Sequence, residues 1–288
     1  MLYRSMLFAP GSDTKKMNKA YGLEADAIIL DLEDAVAYSQ KATAREQVKE
    51  FLSSPPAKPT FVRVNDAKTP FILADLQAAA GKPIAGIFLA KTESAEEVRH
   101  VDWLLSLLEG EQEPTKQKLE LVPFLETALG VEKSYAIARA CPRVKRLALG
   151  GNDFTTDIGT PYSTTGDEFF YARSRLVVAS RAAGIEAPLD TVCPFIKDTA
   201  SLQEDAQRAQ RLGFQGKMVI HPNQIGPVNT IFSPSEEEIK NARKIVATFE
   251  EAEAKGTGVI QVDGKMVEYP IVNRARQVLA IASAKGLA

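Results

Sequence analysis

The chain of 288 residues has few of the residues that build disulfide frameworks or zinc sites. Its two cysteines, Cys141 and Cys193, are too few for a disulfide framework and suit a reducing compartment. Its two histidines, His100 and His221, cannot supply a multi-histidine zinc centre. The composition therefore excludes disulfide-rich secreted modules and histidine-rich zinc enzymes.

The sequence also lacks a charge imbalance and long apolar runs. Lys and Arg total 35 and Asp and Glu total 37, so a net charge of −2 gives no electrostatic basis for binding nucleic acid or an anionic membrane. No apolar run approaches the roughly 18 residues of a membrane span, and the N-terminal segment lacks the apolar region of a signal peptide. With 45% hydrophobic residues, the composition predicts a globular cytoplasmic enzyme.

Eight short apolar segments alternate with helical patterns before residue 223. Most are continuous rather than alternating, as expected of parallel strands that are buried on both faces. Eight such repeats predict an α/β fold, a (β/α)8 TIM barrel, with a doubly wound open sheet as the alternative. The predicted strands are Ser5–Pro10, Ala27–Glu33, Thr60–Asn65, Gly86–Lys91, Leu119–Glu126, Arg146–Asp153, Pro188–Phe195 and Gly216–Pro222.

Local signals place several helices and a small C-terminal extension. Capping boxes at Ser94–Glu97 and Ser235–Glu238 each open a helix, and Asp263-Gly264 predicts a hairpin turn before a last helix. We expect a barrel over residues 1–232 and a helix–hairpin–helix extension over residues 233–288. The extension is too small for an independent core, so we expect it to pack on the barrel or on a neighbouring subunit. The polar stretch 110–118 is the candidate linker.

Charged residues follow the predicted strands, at the end where a barrel places its chemistry. Glu126 and Asp153 end consecutive strands, so their carboxylates are expected to converge above the barrel. Two carboxylates without histidine suit a hard cation, Mg²⁺ or alternatively Mn²⁺. A pair of salt-bridged acids at the rim is the other interpretation.

Two further segments at this end suit an anionic substrate. Arg63 can hold a carboxylate or an enolate oxygen with its planar guanidinium, or it can balance the charges of Glu33 and Asp34. The segment Gly150-Gly151-Asn152 would let backbone N–H groups approach a bound carboxylate. Tight turns between a strand and a helix also require glycine, so this signal has two interpretations.

A basic helix follows the first strand. The segment Pro10–Asp13 leads into a helix with Lys15, Lys16 and Lys19, and a helix N-terminus with lysines suits a phosphate-bearing ligand. A solvated helix face is the alternative. His221 is either a site residue or a hydrogen-bonded residue of the rim.

Six motifs stand in order over nearly the whole chain: Arg4–Gly11, Asp31–Val36, Arg63–Asn65, Glu126–Gly130, Gly150–Phe154 and Val219–Ile225. Together they resemble the citrate lyase beta subunit family, which belongs to the HpcH/HpaI aldolase group and includes malyl-CoA and citramalyl-CoA lyases. The resemblance implies a (β/α)8 barrel that assembles as a homotrimer or as a hexamer of two trimers.

The resemblance also implies roles for the acids at the strand ends. Glu126 and Asp153 would be the Mg²⁺ ligands, and Arg63 would bind the substrate. Glu33 and Asp34 would hold metal-bound water.

Further roles implied by the resemblance concern the coenzyme and a neighbouring subunit. Lys15 and Lys19 match positions that contact the coenzyme A phosphates, with Ile220 and His221 near the pantetheine end. Glu268 matches an acid that a neighbouring subunit supplies as a proton donor or acceptor, although that acid is usually Asp in relatives. The extra methylene bears on alignment, since about 1 Å of misplacement can cost 10²-fold in rate.

These features predict an Mg²⁺-dependent carbon–carbon lyase. It would cleave a 3-hydroxy-carboxyacyl-CoA thioester, such as citramalyl-CoA or malyl-CoA, into acetyl-CoA and a 2-oxo acid by a retro-Claisen reaction. The alternatives are a beta subunit of a citrate lyase complex acting on citryl-acyl-carrier protein, and a metal-dependent 2-oxo acid aldolase. A non-catalytic assembly protein is disfavoured by the intact acid pair and Arg63.

Overall fold

A computed structural model describes residues 2–110 and 118–286 of the chain. Eight parallel strands, β1 to β8, close into a barrel, each pairing with the next in the chain and β8 with β1. The predicted (β/α)8 barrel is confirmed, and the doubly wound alternative is wrong. Most of the candidate linker 110–118, residues 111–117, lies outside the described residues.

Each of the eight predicted strands is present. The barrel strands are β1 Ser5–Pro10, β2 Ala27–Asp31, β3 Thr60–Val64, β4 Gly86–Leu89, β5 Glu120–Leu125, β6 Ala148–Leu149, β7 Leu189–Asp190 and β8 Gly216–Val219. Strands β6 and β7 are much shorter than predicted. In β6 the reason is local, because the chain turns into a helix at Gly151.

Helices connect the strands and extend beyond them. They are α1 Thr14–Tyr21, α2 Lys41–Phe51, α3 Ile72–Ala79, α4 Ala95–Glu109, α5 Ala128–Glu132, α6 Ser134–Ala138, α7 Gly151–Asp157, α8 Phe170–Ala183, α9 Thr199–Leu212, α10 Ile225–Ile231, α11 Glu236–Glu253 and α12 Tyr269–Ala284. The predicted hairpin is formed by β9 Ile260–Val262 and β10 Lys265–Val267. Within the described ranges, no helix has the length and apolar character needed to cross a bilayer.

The two predicted capping boxes differ. At α11 the box is complete, because Ser235 and Glu238 cap each other's backbone N–H groups. At α4 only half of it forms: Ser94 Oγ accepts from the Glu97 N–H at 3.2 Å, but the Glu97 carboxylate accepts from the Glu93 N–H at 2.8 Å. The Glu97 side chain therefore caps the loop before the helix instead of closing the box.

The barrel interior is a row of aromatic rings in edge-to-face contact. Tyr3 packs on Phe61 at a centroid distance of 5.6 Å, Phe61 on Phe88 at 5.5 Å, and Phe88 on Phe124 at 6.1 Å. Phe61, Phe88 and Phe124 lie on the consecutive strands β3, β4 and β5, and Tyr3 precedes β1, so these buried rings fill the barrel's cross-section. The polar residues of the cavity lie beyond this apolar layer, at the C-terminal ends of the strands.

Residue contacts divide the chain into two compact units. The larger unit, Tyr3–Asn229, contains the barrel, and the smaller comprises Leu2 with the residues from Thr230 onward. Within the smaller unit, α11, α12 and the hairpin share a core of Phe249, Val262, Val267 and Val272.

Candidate active site

A cavity of about 170 Å³ opens at the C-terminal ends of the barrel strands. Its walls combine ionisable groups with apolar side chains, as in sites for small acidic ligands. The ionisable residues of the lining are Asp31, Asp34, Arg63, Glu126 and Asp153. The large apolar residues of the lining are Phe8, Phe124, Val192 and Ile220.

Glu126 and Asp153 meet in this cavity. Glu126 follows β5 and is 1% exposed, while Asp153 lies in the first turn of α7 with a third of its side chain exposed. Burial raises the pKa of Glu126 well above its usual value, and the negative charges of Asp153 and Glu33 raise it further, against the effect of Arg63. The two acids predicted from consecutive strand ends are therefore close enough to repel each other.

Gly150 is required by the close approach of Glu126. A Cβ atom on Gly150 would lie 2.4 Å from Glu126 Oε2, closer than any such contact allows. At Gly151 a Cβ atom would lie 2.7 Å from Thr191 Oγ1, and the Gly151 N–H donates to that hydroxyl at 2.7 Å. Packing therefore explains both glycines, and the Gly151 amide already has a partner. The exposed Asn152 lines the cavity beside them.

Arg63 combines both of its predicted functions. Its Nε and Nη2 donate to the two carboxylate oxygens of Asp31 at 2.7 and 2.6 Å, and its Nη1 lies 3.1 Å from Glu33 Oε2. It balances acids, yet its guanidinium lines the cavity over the Phe8 ring at 4.9 Å and retains further N–H donors. Burial alone would raise the pKa of Asp31, but Arg63 and two backbone N–H groups lower it.

Lys91 is a member of the site that the sequence does not single out. Its Nζ donates to Glu33 Oε1 at 2.5 Å and lies 3.6 Å from both Asp34 Oδ1 and Asp153 Oδ1. Its backbone N–H donates to Glu126 Oε1 at 2.7 Å. The available signal was its place after β4, in the same position as the other charged strand ends.

Lys41 holds the loop that carries Glu33. This buried lysine, the first residue of α2, donates from Nζ to the carbonyl oxygens of Leu32 at 2.8 Å and Glu33 at 2.7 Å. The Leu32 carbonyl also accepts from Asn65 Nδ2 at 2.9 Å. Two side chains from neighbouring segments therefore fix the backbone behind the cavity.

The charge of the site fits a divalent cation. Five carboxylates, those of the lining acids and Glu33, face the cations of Arg63 and Lys91, which leaves a formal excess of three negative charges. In residues 2–110 and 118–286, no three His, Cys, Asp or Glu side chains are grouped as metal ligands. A cation on Glu126 and Asp153 would take its other ligands from water or substrate, which is typical of Mg²⁺.

The residues predicted to contact coenzyme A lie at different places. Lys15 and Lys19 are exposed one turn apart on α1, whose first turn Asp13 caps. Ile220 lines the cavity, whereas His221 Nδ1 accepts from the Asn223 N–H at 3.2 Å and so caps the turn after β8.

Glu268, the predicted cross-subunit acid, belongs to the smaller unit. It is exposed and precedes α12 as the N-cap residue, without a capping hydrogen bond from its side chain.

Comparison with known proteins finds relatives that match nearly the whole chain. Curated relatives of similar length include the citrate lyase subunit beta of Leuconostoc mesenteroides, 38% identical over 99% of this chain and 95% of the relative. The mitochondrial citramalyl-CoA lyase of Homo sapiens is 33% identical over 97% of this chain and 85% of its own. A (3S)-malyl-CoA thioesterase of Cereibacter sphaeroides is 37% identical over 98% and 95%.

A solved structure and family models agree with these relatives. The crystal structure of the protein CitE from Mycobacterium tuberculosis, in complex with magnesium, acetoacetate and coenzyme A, matches with a TM-score of 0.79. It is 31% identical, and the match covers 97% of each chain. A model of carbon–carbon bond lyases of the TIM-barrel fold matches residues 167–287, and the HpcH/HpaI aldolase/citrate lyase model matches residues 4–222. The chain is thus an enzyme that belongs to the HpcH/HpaI aldolase/citrate lyase family.

Proposed function

We propose that the protein is an Mg²⁺-dependent lyase that cleaves a 3-hydroxy-carboxyacyl-CoA thioester, such as citramalyl-CoA or malyl-CoA, to acetyl-CoA and a 2-oxo acid. The observation that carries the proposal is the meeting of Glu126, Asp153 and Arg63 in one cavity at the barrel mouth. The relatives named as citrate lyase beta subunit and citramalyl-CoA lyase support the reaction class.

Glu126 and Asp153 would hold the cation. When bound, Mg²⁺ polarises the substrate's hydroxyl and adjacent carboxylate as a Lewis acid. The unfavourable burial of Glu126 and its repulsion by Asp153 support this assignment, because a cation would relieve both. The magnesium in the CitE complex from M. tuberculosis supports it as well.

Three residues of the chain would carry out the proton transfers and stabilise the negative charge that develops. Asp34, half exposed at the cavity, would accept the hydroxyl proton, directly or through water. The hydroxyl oxygen's electron pair then forms the carbonyl of the 2-oxo acid, and the electrons of the breaking carbon–carbon bond move into a thioester enolate. Arg63 would stabilise the enolate oxygen with its remaining N–H groups. Glu268 of a neighbouring subunit would protonate the enolate carbon, which gives acetyl-CoA.

The coenzyme would lie across the rim towards α1. Lys15 and Lys19 present exposed ammonium groups without an ion pair among the described residues, whereas Lys16 pairs with Asp13 at 3.3 Å. Two lysines one turn apart suit phosphate groups. This arrangement disfavours an aldolase that uses a free 2-oxo acid, because such a substrate has no phosphate.

A lyase assay on the purified chain tests the proposal. Citramalyl-CoA and malyl-CoA are supplied with Mg²⁺, and acetyl-CoA and the 2-oxo acid are detected as separate products. We expect both products in equal amounts and their loss on chelation of the metal. Release of free coenzyme A with an intact hydroxy acid would instead indicate thioester hydrolysis, the activity in the name of the C. sphaeroides relative.

A citrate lyase beta subunit acting on citryl-acyl-carrier protein is the second candidate. The 38% identity to the citrate lyase subunit beta of L. mesenteroides favours it. Coenzyme A esters and the same acyl groups on acyl-carrier protein distinguish the two: cleavage of only the carrier-bound form would favour the subunit.

A further inference from the structure

Lys91 contacts acids from three different segments of the site. Its backbone N–H binds Glu126 after β5, while its ammonium binds Glu33 after β2 and lies near Asp153 in α7. Its backbone has a left-handed conformation with φ of 49°, which is uncommon for a residue other than glycine. Backbone strain of this kind is typical of functional sites.

The backbone and the side chain of Lys91 act on different groups. The N–H group fixes the orientation of the Glu126 carboxylate, and any residue except proline would supply it. The ammonium acts on Glu33, Asp34 and Asp153, and only a cationic side chain supplies that. Replacing Lys91 with a neutral residue such as methionine therefore removes the charge and leaves the hydrogen bond to Glu126.

We propose that Lys91 is a positioning residue whose ammonium weakens the binding of the divalent cation and orders Glu33 and Asp34 for the reaction. The inference rests on the proposed function. A cation bound to Asp153 Oδ1 at about 2.1 Å would lie within about 6 Å of the ammonium, given the 3.6 Å from Nζ to that oxygen. At this distance the two positive charges repel each other, so the lysine and the cation compete for the same carboxylates.

The ammonium of Lys91 offsets part of the negative charge of the cavity acids, which limits how tightly they would hold a cation. Without Lys91, the excess formal charge of the acids would grow, and a cation would be held more tightly while Glu33 and Asp34 lost a shared partner. The Lys91 side chain is 31% exposed. Its partner Glu33 is buried but also pairs with Arg63 Nη1 at 3.1 Å, so a substitution of Lys91 does not leave that carboxylate without a cation.

The test is Lys91→Met, with Mg²⁺ affinity measured by titration calorimetry and Mn²⁺ affinity by electron paramagnetic resonance at fixed ionic strength. Even with the dielectric constant of water, one charge about 6 Å from a divalent cation changes the affinity about tenfold. We expect Kd for Mg²⁺ to fall about tenfold or more, and kcat in the lyase assay to fall about tenfold because the acids lose their alignment.

Two control variants separate the local charge from other effects. Lys91→Arg keeps the charge, so its Kd for Mg²⁺ should stay within about threefold of wild type. Lys68→Met removes an equally positive lysine that pairs with Glu93 and Glu97 instead of the cavity acids, so its Kd should also be unchanged.

Several outcomes would overturn the inference. An unchanged or weaker affinity in Lys91→Met would do so, as would equal tightening in Lys68→Met. Unfolding of both Lys91→Met and Lys91→Gln would also overturn it, because Lys91 would then be structural. Failure of the wild-type chain to bind Mg²⁺ at all would instead refute the proposed function on which the inference rests.

Discussion

Glu126 carries a charge that its surroundings disfavour. Its carboxylate is buried near Asp153 and Glu33, and Arg63, which acts against the resulting pKa rise, is itself bound to Asp31. An acid whose folded-state pKa lies above its unfolded value destabilises the fold when it is ionised. The ionised carboxylate therefore lowers the stability of the fold, and the proposed role of Glu126 as a metal ligand explains why this residue is present.

The variant Glu126→Gln tests this conflict between stability and function. Glutamine keeps an acceptor for the Lys91 N–H but removes the buried charge. We expect the Tm of the metal-free protein to rise by about 2–4 °C, which for a chain of this size corresponds to ~1 kcal/mol. We also expect Mg²⁺ no longer to raise Tm, and lyase activity to fall at least ~10²-fold. Calorimetric scans with and without Mg²⁺ measure the first two effects.

The control for this variant is Glu46→Gln, which makes the same change at an exposed glutamate of α2. It should leave Tm within about 1 °C and activity unchanged. A lower Tm for metal-free Glu126→Gln would contradict the assignment.

Gly150 sets the position of the same carboxylate by having no side chain. In Gly150→Ala the new methyl group would lie 2.4 Å from Glu126 Oε2 and 2.5 Å from Glu126 Cβ, so the carboxylate and the backbone that carries it must shift. We expect Kd for Mg²⁺ to weaken at least ~10-fold with the secondary structure retained, as measured by titration calorimetry and circular dichroism. Gly226→Ala is the matched control, because a Cβ there meets no atom within 4 Å. Normal Mg²⁺ binding by Gly150→Ala would show that Glu126 is not a ligand.

Sequence position predicts part of this site. Glu126, Asp153 and Arg63 are found together because parallel strands end at one rim of a barrel. The contacts of Lys91 are not predictable in this way, since the direction of its long side chain depends on a left-handed backbone conformation that the sequence does not specify. The Thr191 hydroxyl that binds the Gly151 amide is likewise contributed by a distant segment.

Strands β7 and β8 are joined to helices α8 and α9 by a buried ion network. Arg173 of α8 donates to Asp190 of β7 at 2.9 and 3.0 Å and to Asp205 of α9 at 2.6 Å. Lys217 of β8 donates to Asp190 at 2.6 Å and to Asp205 at 2.5 Å. Two positive charges match two negative ones, so the network is internally balanced and removing one partner leaves a buried charge without compensation.

Asp205 gives this network a pH dependence. Burial alone would raise the pKa of Asp205, but Lys217 and Arg173 lower it to about 2. Because the folded-state pKa lies below the unfolded value, the stabilisation is present above about pH 4 and is lost as the pH falls through about 2. We expect the free energy of unfolding of wild type to fall by on the order of 2 kcal/mol over this range from Asp205, and Asp205→Asn to lack this component.

Urea unfolding at a series of pH values measures the effect. Asp205→Asn should be less stable than wild type by about 3 kcal/mol at pH 7, and the difference should shrink towards pH 2. Glu204→Gln, an exposed neighbour on α9, is the control and should follow wild type. Parallel curves for wild type and Asp205→Asn would contradict the linkage.

The same network shows where predictions from strand patterns end. Asp190 is the last residue of β7 and is as buried as any cavity acid, yet it pairs with Arg173 and Lys217 outside the cavity lining. The adjacent Leu189 packs in the barrel core, so alternation along the strand turns Asp190 to the other face. Strand β7 has only two residues and both are buried, so the sequence pattern does not show which of them faces the barrel interior.

At the scale of the whole molecule, the proposed proton donor Glu268 lies outside the unit that contains the cavity. Glu268 belongs to the smaller unit, whereas Glu126, Asp153 and Arg63 all belong to the larger. Our proposal that a neighbouring subunit supplies Glu268 requires a homo-oligomer in which each cavity combines residues from two chains. Defects in the two units should then complement each other.

Co-expression of Glu126→Gln with Glu268→Gln, carrying different affinity tags, tests this arrangement. Each variant alone should be nearly inactive. A mixed trimer would have one site in three that combines an intact Glu126 with an intact Glu268 from the adjacent chain, so purified mixed trimers should recover about a third of wild-type activity. Co-expression of Glu126→Gln with Asp153→Asn is the control, because both residues lie in the larger unit of one chain. This control pair would recover activity only if Asp153 came from a different subunit than Glu126. Because both acids line the cavity of one chain, we expect activity no higher than that of each variant alone. Absence of recovery in the Glu268 pair would place Glu268 in the cavity of its own chain, and activity of Glu268→Gln alone would assign the proton donor to another residue.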